Sequence, residues 1–182
     1  YHKNYESVAQ VMQHANVGGQ FETWYSTPGI MSSELRSRYG NDFKYVVQAS
    51  WIGTHMLTVE GNSFVQEGIF FEPDAPEMLS LHMLNGTRAG LKDKYSILLS
   101  SSVARSLFDS EDPINKTIRF DRLWDVKVTG VYEDLPPNTT FGNVKIIMPW
   151  ELWLEQNPWT RNMANPWESN FSQTLVQIAE NA

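Results

Sequence analysis

Cysteine is absent from the 182 residues, which excludes disulfides, thiolate nucleophiles and thiolate metal ligands together. No run approaches the ~18 apolar residues of a membrane helix, and no signal peptide opens the chain. Basic residues are outnumbered: 14 Lys plus Arg against 21 Asp plus Glu leave a net charge of -7. The densest cationic clusters are the pairs Arg36/Arg38 and Lys92/Lys94. Phosphate binding needs clustered cations, so nucleic acid is excluded as a partner. The histidines His2, His14, His55 and His82 show neither H-x-x-x-H spacing nor a carboxylate at ligand spacing, and no metal site is expected. Nor is there a G-x-S-x-G elbow for a serine nucleophile. Gly86, Gly90 and Gly130 are isolated and build no phosphate cradle, so the expected cofactor is none.

What is present is a composition that folds. Hydrophobic residues make up 41% and aromatics 13% of the chain, enough for a sizeable core without staples and incompatible with disorder. The chain opens at Tyr1-His2-Lys3-Asn4 without an initiator methionine and stops at Glu180-Asn181-Ala182, straight after an alternating apolar segment. It reads as a single domain, residues 1–182, excised from a longer protein, with two lobes and part of its C-terminal portion missing.

Periodicity then outlines the elements. Ser7 to His14 fits helix and strand alike. Ser26-Thr27-Pro28 offers an N-cap and a first-turn proline to a helix whose Met31, Leu35 and Tyr39 recur every four residues until Gly40. Lys44 to Trp51, His55 to Val59 and Ser63 to Phe71 read as strands, the last two joined at Gly61-Asn62. Asp74 and Glu77 have capping-box spacing before a short helix. Tyr95 to Leu99 is a strand, and Ser100 to Ser102 cap the helix after it. Lys116 to Phe120 and Trp124 to Val131 form a hairpin in which Gly130 marks a bulge or a close approach. Asn143 to Met148 is a strand, Pro149 to Gln156 a helix, and Thr174 to Ile178 the final strand. The pattern predicts an α+β fold of mixed, mostly antiparallel sheets flanked by helices.

Two constellations could carry chemistry. The acidic pairs Glu72/Asp74, Glu111/Asp112 and Glu133/Asp134 could supply the two carboxylates of a hydrolase, although each pair borders a proline-marked turn where acids cap and solvate. Trp150, Trp153, Trp159 and Trp167 form the densest aromatic region. Trp150 and Trp153 are three apart on a helix and are expected to pack inward. Trp159, Trp167 and the nearby Arg161 stand in the proline-containing loop 157–170 and are the candidate partner-binding residues. The same tryptophans would suit a glycan-binding module.

A series of blocks runs from residue 68 to about 141. It begins with Gly68-Ile69-Phe70-Phe71-Glu72-Pro73-Asp74, then Met78-Leu79-Ser80-Leu81 with Leu84-Asn85-Gly86. Ser96-Ile97-Leu98-Leu99-Ser100 follows, running into Val103-Ala104-Arg105-Ser106-Leu107-Phe108. Glu111-Asp112-Pro113-Ile114-Asn115-Lys116 comes next, then Val128-Thr129-Gly130-Val131 and Asp134-Leu135-Pro136-Pro137-Asn138-Thr139. In order and spacing this series resembles the MacB-like periplasmic core domain of bacterial FtsX-like ABC-transporter permeases, especially the large duplicated permeases of Bacteroidetes. Asp109 and Asn115 replace glycines of that pattern, and Asn tolerates positive φ.

The resemblance assigns Ser7 to His14 to a strand. It implies a two-lobed domain set between the first and second membrane helices of an inner-membrane permease and lying in the periplasm. The implied partners are those helices, a cytoplasmic ATPase, and a periplasmic protein, peptide or lipoprotein. The implied role is non-catalytic transmission of ATP-driven movement, and the isolated domain is expected to be a monomer.

Overall fold

The computed structural model describes residues 3–180 and residue 182; His2 lies outside them. Val8–Gln10 (β1) sits at the edge of an 11-stranded sheet and pairs with the last strand, Asn170–Ile178. The strand expected over Ser7 to His14 is broken. After Val11, whose N–H donates to Thr174 O at 2.9 Å, the chain leaves the sheet. It pairs with itself as a hairpin of Gln13–Val17 (β2) and Gln20–Trp24 (β3), turned at Gly18-Gly19. Thr27–Pro28 (β4) then rejoins the last strand, opposite Ser172 and Asn170. The hairpin is therefore an excursion from one interrupted edge strand.

Ser26-Thr27-Pro28 does not start a helix. A proline on an edge strand removes no ladder bond that the sheet needs, and Thr27 Oγ1 lies buried, 2.8 Å from Thr174 Oγ1. The helix Met31–Tyr39 (α1) starts later and ends, as expected, at Gly40. Its Tyr39 is 54% exposed, and the residue it buries is Ser32. Ser32 Oγ donates to Gln48 Oε1 at 3.0 Å, while Gln48 Nε2 donates to Gly29 O and Ser172 Oγ. A satisfied polar seam, not an apolar stripe, fastens this helix.

Phe43–Ala49 (β5) and Gly53–Val59 (β6) both pair antiparallel with the long strand Asn62–Phe71 (β7). The β6–β7 turn is Glu60-Gly61, one residue before the expected pair, with φ of 49° and 83°. Two positive φ values give the turn whose twist matches its strands. Ala75–Met78 (α2) lacks the predicted capping box: Asp74 makes no side-chain cap bond, and Glu77 pairs with Arg88 instead.

Met83–Gly86 (β8) and Ser96–Ser100 (β9) lead into Ser101–Phe108 (α3), where Ser100 Oγ accepts from the Val103 N–H as the cap. Asp109 and Asn115 both take positive φ, 52° and 65°. Thr117–Phe120 (β10) and Trp124–Tyr132 (β11) form the expected hairpin, and β11 shifts register between Val128 and Gly130 in its parallel pairing with β9. Ile146–Pro149 (β12), Trp150–Gln156 (α4) and Asn170–Ile178 (β13) complete the chain. The fold is α+β, and among the described residues only β9–β11 and β7–β12 pair in parallel.

Pairing runs β6, β7, β12, β9, β11, β10 and returns to β6 at Arg119↔Thr58 and Phe120↔Leu57. Six strands thus close a ring, and a short latch holds the seam. Asp121 N–H donates to Met56 O, Met56 N–H donates to Asp121 Oδ1, and His55 Nδ1 lies 2.8 Å from Asp121 Oδ2. Burial pushes the Asp121 carboxyl up, but the bonds from His55 and the Met56 amide outweigh it and hold it below the usual range. Alternate strand residues serve two cores. Phe70, Ile97, Val126 and Ile146 pack with α3 and α4, whereas Ile69, Leu98, Tyr132 and Ile147 pack with α2. Each such side chain contributes about 1.5–3 kcal/mol, so the sheet is stiffened from both faces.

Candidate functional site

The aromatic residues at the start of β13 form one connected stack. Trp150, 5% exposed, lies parallel to Trp153 at 4.5 Å between ring centroids. Trp153 lies parallel to Phe171 at 5.3 Å. Trp159, on the 3-10 turn Pro158–Asn162, stands edge-on to Phe171 at 5.0 Å and to Trp153 at 6.4 Å. These are the preferred ring geometries. Gly29 makes room for the stack, because a Cβ there would lie 2.3 Å from Phe171 Cζ.

Trp150 and Trp153 pack inward, as their spacing predicts. Trp159 keeps half of its surface exposed at 50%, with its Nε1–H donating to Asn157 Oδ1 at 3.2 Å. Arg161 is exposed on the same turn and helps, through its charge, to draw the Glu155 carboxyl down, an effect led by the hydrogen bond from Lys94. Trp167 is 44% exposed and belongs to a separate turn, where its N–H donates to Asn165 Oδ1. No hydrogen bond or ring contact joins Trp167 to Trp159 or Arg161 among the described residues. The sequence does not signal Phe171 or Gly29, since their roles arise only when β4 and β13 pair.

The acidic pairs do not converge. Glu72 accepts both Arg36 guanidinium nitrogens, at 2.7 and 2.8 Å, and the Gln48 N–H at 2.8 Å. Glu111 pairs with Lys116, and Glu133 with His82. Asp134 accepts from Lys145 Nζ at 2.5 Å, from the Ser101 and Ser102 hydroxyls at 2.6 Å each, and from the Ser102 N–H at 2.8 Å. Glu72, Glu111, Glu133 and Asp134 are thus each engaged in local hydrogen bonds or ion pairs. Among the described residues no three His, Asp or Glu side chains gather around a metal-sized space.

Partial burial pushes the Asp134 carboxyl up, but the bonds from Lys145, Ser101 and Ser102 prevail and hold it well below the usual carboxylate range. A depressed folded pKa contributes stability that is fully present above the ordinary value near ~4 and is lost as pH falls toward the folded one. Asp134→Asn is expected to lower stability at pH 7 by about 1–2 kcal/mol, a figure reduced for solvent screening. It should also flatten the loss of stability between about pH 5 and 2. Urea unfolding at a series of pH values measures both.

A cavity of about 430 Å³ lies beside β1, walled by segments 79–82 and 133–141 and by Leu175 of β13. Four separated segments assemble it, two of them from the linked blocks 78–81 and 134–139, but nothing in the sequence signals that they meet beside β1.

The family model of the MacB-like periplasmic core domain matches residues 2–182. The chain belongs to this family. Solved structures agree on the fold. A permease-protein domain from Porphyromonas gingivalis matches with a TM-score of 0.77 at 17% identity, covering 100% of this chain and 77% of that one. The periplasmic region of MacB from Actinobacillus actinomycetemcomitans matches at 0.69 and 15% identity, over 97% of this chain and 76% of that one. The extracellular domain of the noncanonic ABC-type transporter YknZ from Gram-positive bacteria matches at 0.62 and 16%, over 86% and 76%. No curated protein matches the chain. In this MacB-like periplasmic core domain no helix of the described residues is long and apolar enough to cross a membrane.

Proposed function

We propose that this domain is a non-catalytic transmitter. It stands between the first and second membrane helices of its inner-membrane permease and carries movement driven by a cytoplasmic ATPase to a periplasmic protein, peptide or lipoprotein. The observation that supports this reading is the closed six-strand ring with a core on either face. Transmission needs a body that moves whole and a surface that engages a partner. Trp159, Arg161 and Trp167 supply that surface: two half-exposed indoles and a guanidinium, side chains that dominate protein contacts when desolvated.

Because these 182 residues hold no cysteine, two labels can be placed in the domain alone, in a full permease and ATPase whose other cysteines are replaced. Labels at Tyr39→Cys and Leu123→Cys, both on exposed positions, should keep their mutual distance on ATP binding while each moves relative to a label in the membrane. A changed distance within the domain, or no movement against the membrane, would overturn the transmitter role. Combined Trp159→Ala, Arg161→Ala and Trp167→Ala should weaken partner capture by at least about tenfold and leave the movement intact. Binding to a glycan array that these substitutions abolish would replace the protein partner by a carbohydrate.

A further inference from the structure

We propose that the cavity beside β1 is a docking groove for an extended, basic segment of a partner protein, which adds to β1 as a further strand. The site is distinct from the tryptophan surface, and its argument does not depend on that surface. On its inner side β1 is fully engaged: Ile178 N–H donates to Ser7 O, and Val11 N–H to Thr174 O, each at 2.9 Å. Bonding alternates along an antiparallel pair, so Ser7, Ala9 and Val11 face β13, while Val8 and Gln10 turn their backbone groups outward. Asn4 O takes the Val8 N–H. Among the described residues no strand pairs with the outer side of β1, which leaves the Val8 carbonyl and both Gln10 groups for an added strand.

The cavity reaches this edge. Val8, Ala9 and Gln10 all line it, although consecutive side chains of a strand point to opposite faces. The space runs along this stretch of the strand edge. Every second side chain of an added strand would therefore enter the cavity, where Leu79, Leu81, Leu135, Phe141 and Leu175 offer an apolar wall. Its volume is within the range of ligand sites.

Charge selects the occupant. The lining includes Glu133, Asp134 and His82 and neither lysine nor arginine. Asp134 already carries Lys145, whereas Glu133 is exposed and, among the described residues, its side chain pairs with His82 at 2.8 Å. Thr139 also lines the space, and its Oγ1 is buried with no hydrogen-bond partner among the described residues. The matching segment is extended, seats one apolar side chain in the cavity, and brings a lysine or arginine to Glu133.

The ¹⁵N-labelled 182-residue chain tests this with three probes. They are the capped peptide Thr-Lys-Val-Leu-Val-Lys-Thr, the same peptide with both lysines replaced by glutamate, and octylammonium chloride. The basic peptide should shift the amides of Gln10, Leu79 to His82 and Thr139 to Phe141. The acidic peptide should bind at least about tenfold more weakly, and Glu133→Gln should weaken the basic peptide by about tenfold. Equal binding of the two peptides, or no shift with the basic one at millimolar concentration, would overturn the proposal. So would octylammonium reproducing the same shifts, which would assign the cavity to small amphiphiles. Shifts confined to Trp159, Arg161 and Trp167 would overturn it too, while supporting the tryptophan surface.

Discussion

Gly86→Ala is expected to lower the stability of the domain by about 3 kcal/mol, seen as a lower urea midpoint with an unchanged slope. Two costs combine at this position. Gly86 has a φ of 73°, where a side chain is strained by about 1–2 kcal/mol. An added Cβ would also lie 2.3 Å from Thr129 O and 2.8 Å from Gly130 Cα, and a backbone inside a paired sheet cannot yield. Gly90→Ala is the milder comparison, since its φ is not positive and the atoms nearest a Cβ there, Leu98 Cδ2 at 2.8 Å and Thr129 Oγ1 at 2.9 Å, belong to side chains and not to backbone. Equal losses for the two would mean that the backbone contact at Gly86 relaxes. Isolated glycines of this kind read as ordinary turn residues in the sequence; β8 lying against β11 makes Gly86 a packing requirement.

Trp150→Ala is expected to cost about 3–5 kcal/mol, while Trp159→Ala costs under about 1 kcal/mol. Trp150 is the buried base of the stack and Trp159 its half-exposed end. Loss of the base also frees Trp153, then Phe171, and with them the ring against which Trp159 is oriented. Near-ultraviolet dichroism of the two variants measures the difference: Trp150→Ala should collapse the aromatic signal, and Trp159→Ala should trim it. If Trp159→Ala destabilised the domain as severely, Trp159 would be part of the core and its assignment as a contact residue would fall.

Local chemistry was legible where one short segment holds all the partners. The Ser100 cap lies within a few residues of the N–H it accepts from. The bulge at Gly130 and the inward pair Trp150/Trp153 likewise follow from spacing alone. Pro28 misled because Ser-x-Pro is a local helix signal, whereas the pairing of Thr27–Pro28 with β13 is set by residues at the far end of the chain. Tyr39 misled because a regular spacing does not reveal that a serine and a glutamine hold α1 to the sheet. The linked blocks identified the family, since their order survives where single motifs are weak. The ring seam at β6–β10 and the cavity beside β1 were invisible, because both are contacts between distant segments, each unremarkable by itself.

The antiparallel pairing of β1 with β13 sets Val8 opposite Gln177, so the backbone leading into the first strand emerges beside the backbone leaving the last. A load applied through these two neighbouring leads in the same direction runs along both strands and into β5, drawing the sheet as a plate gripped at one corner. A load that separates the leads acts across the ladder and opens its bonds one after another, beginning at that corner. The β1–β13 pair is thus strong where both strands are drawn together along their length and weak where they are peeled apart from this end.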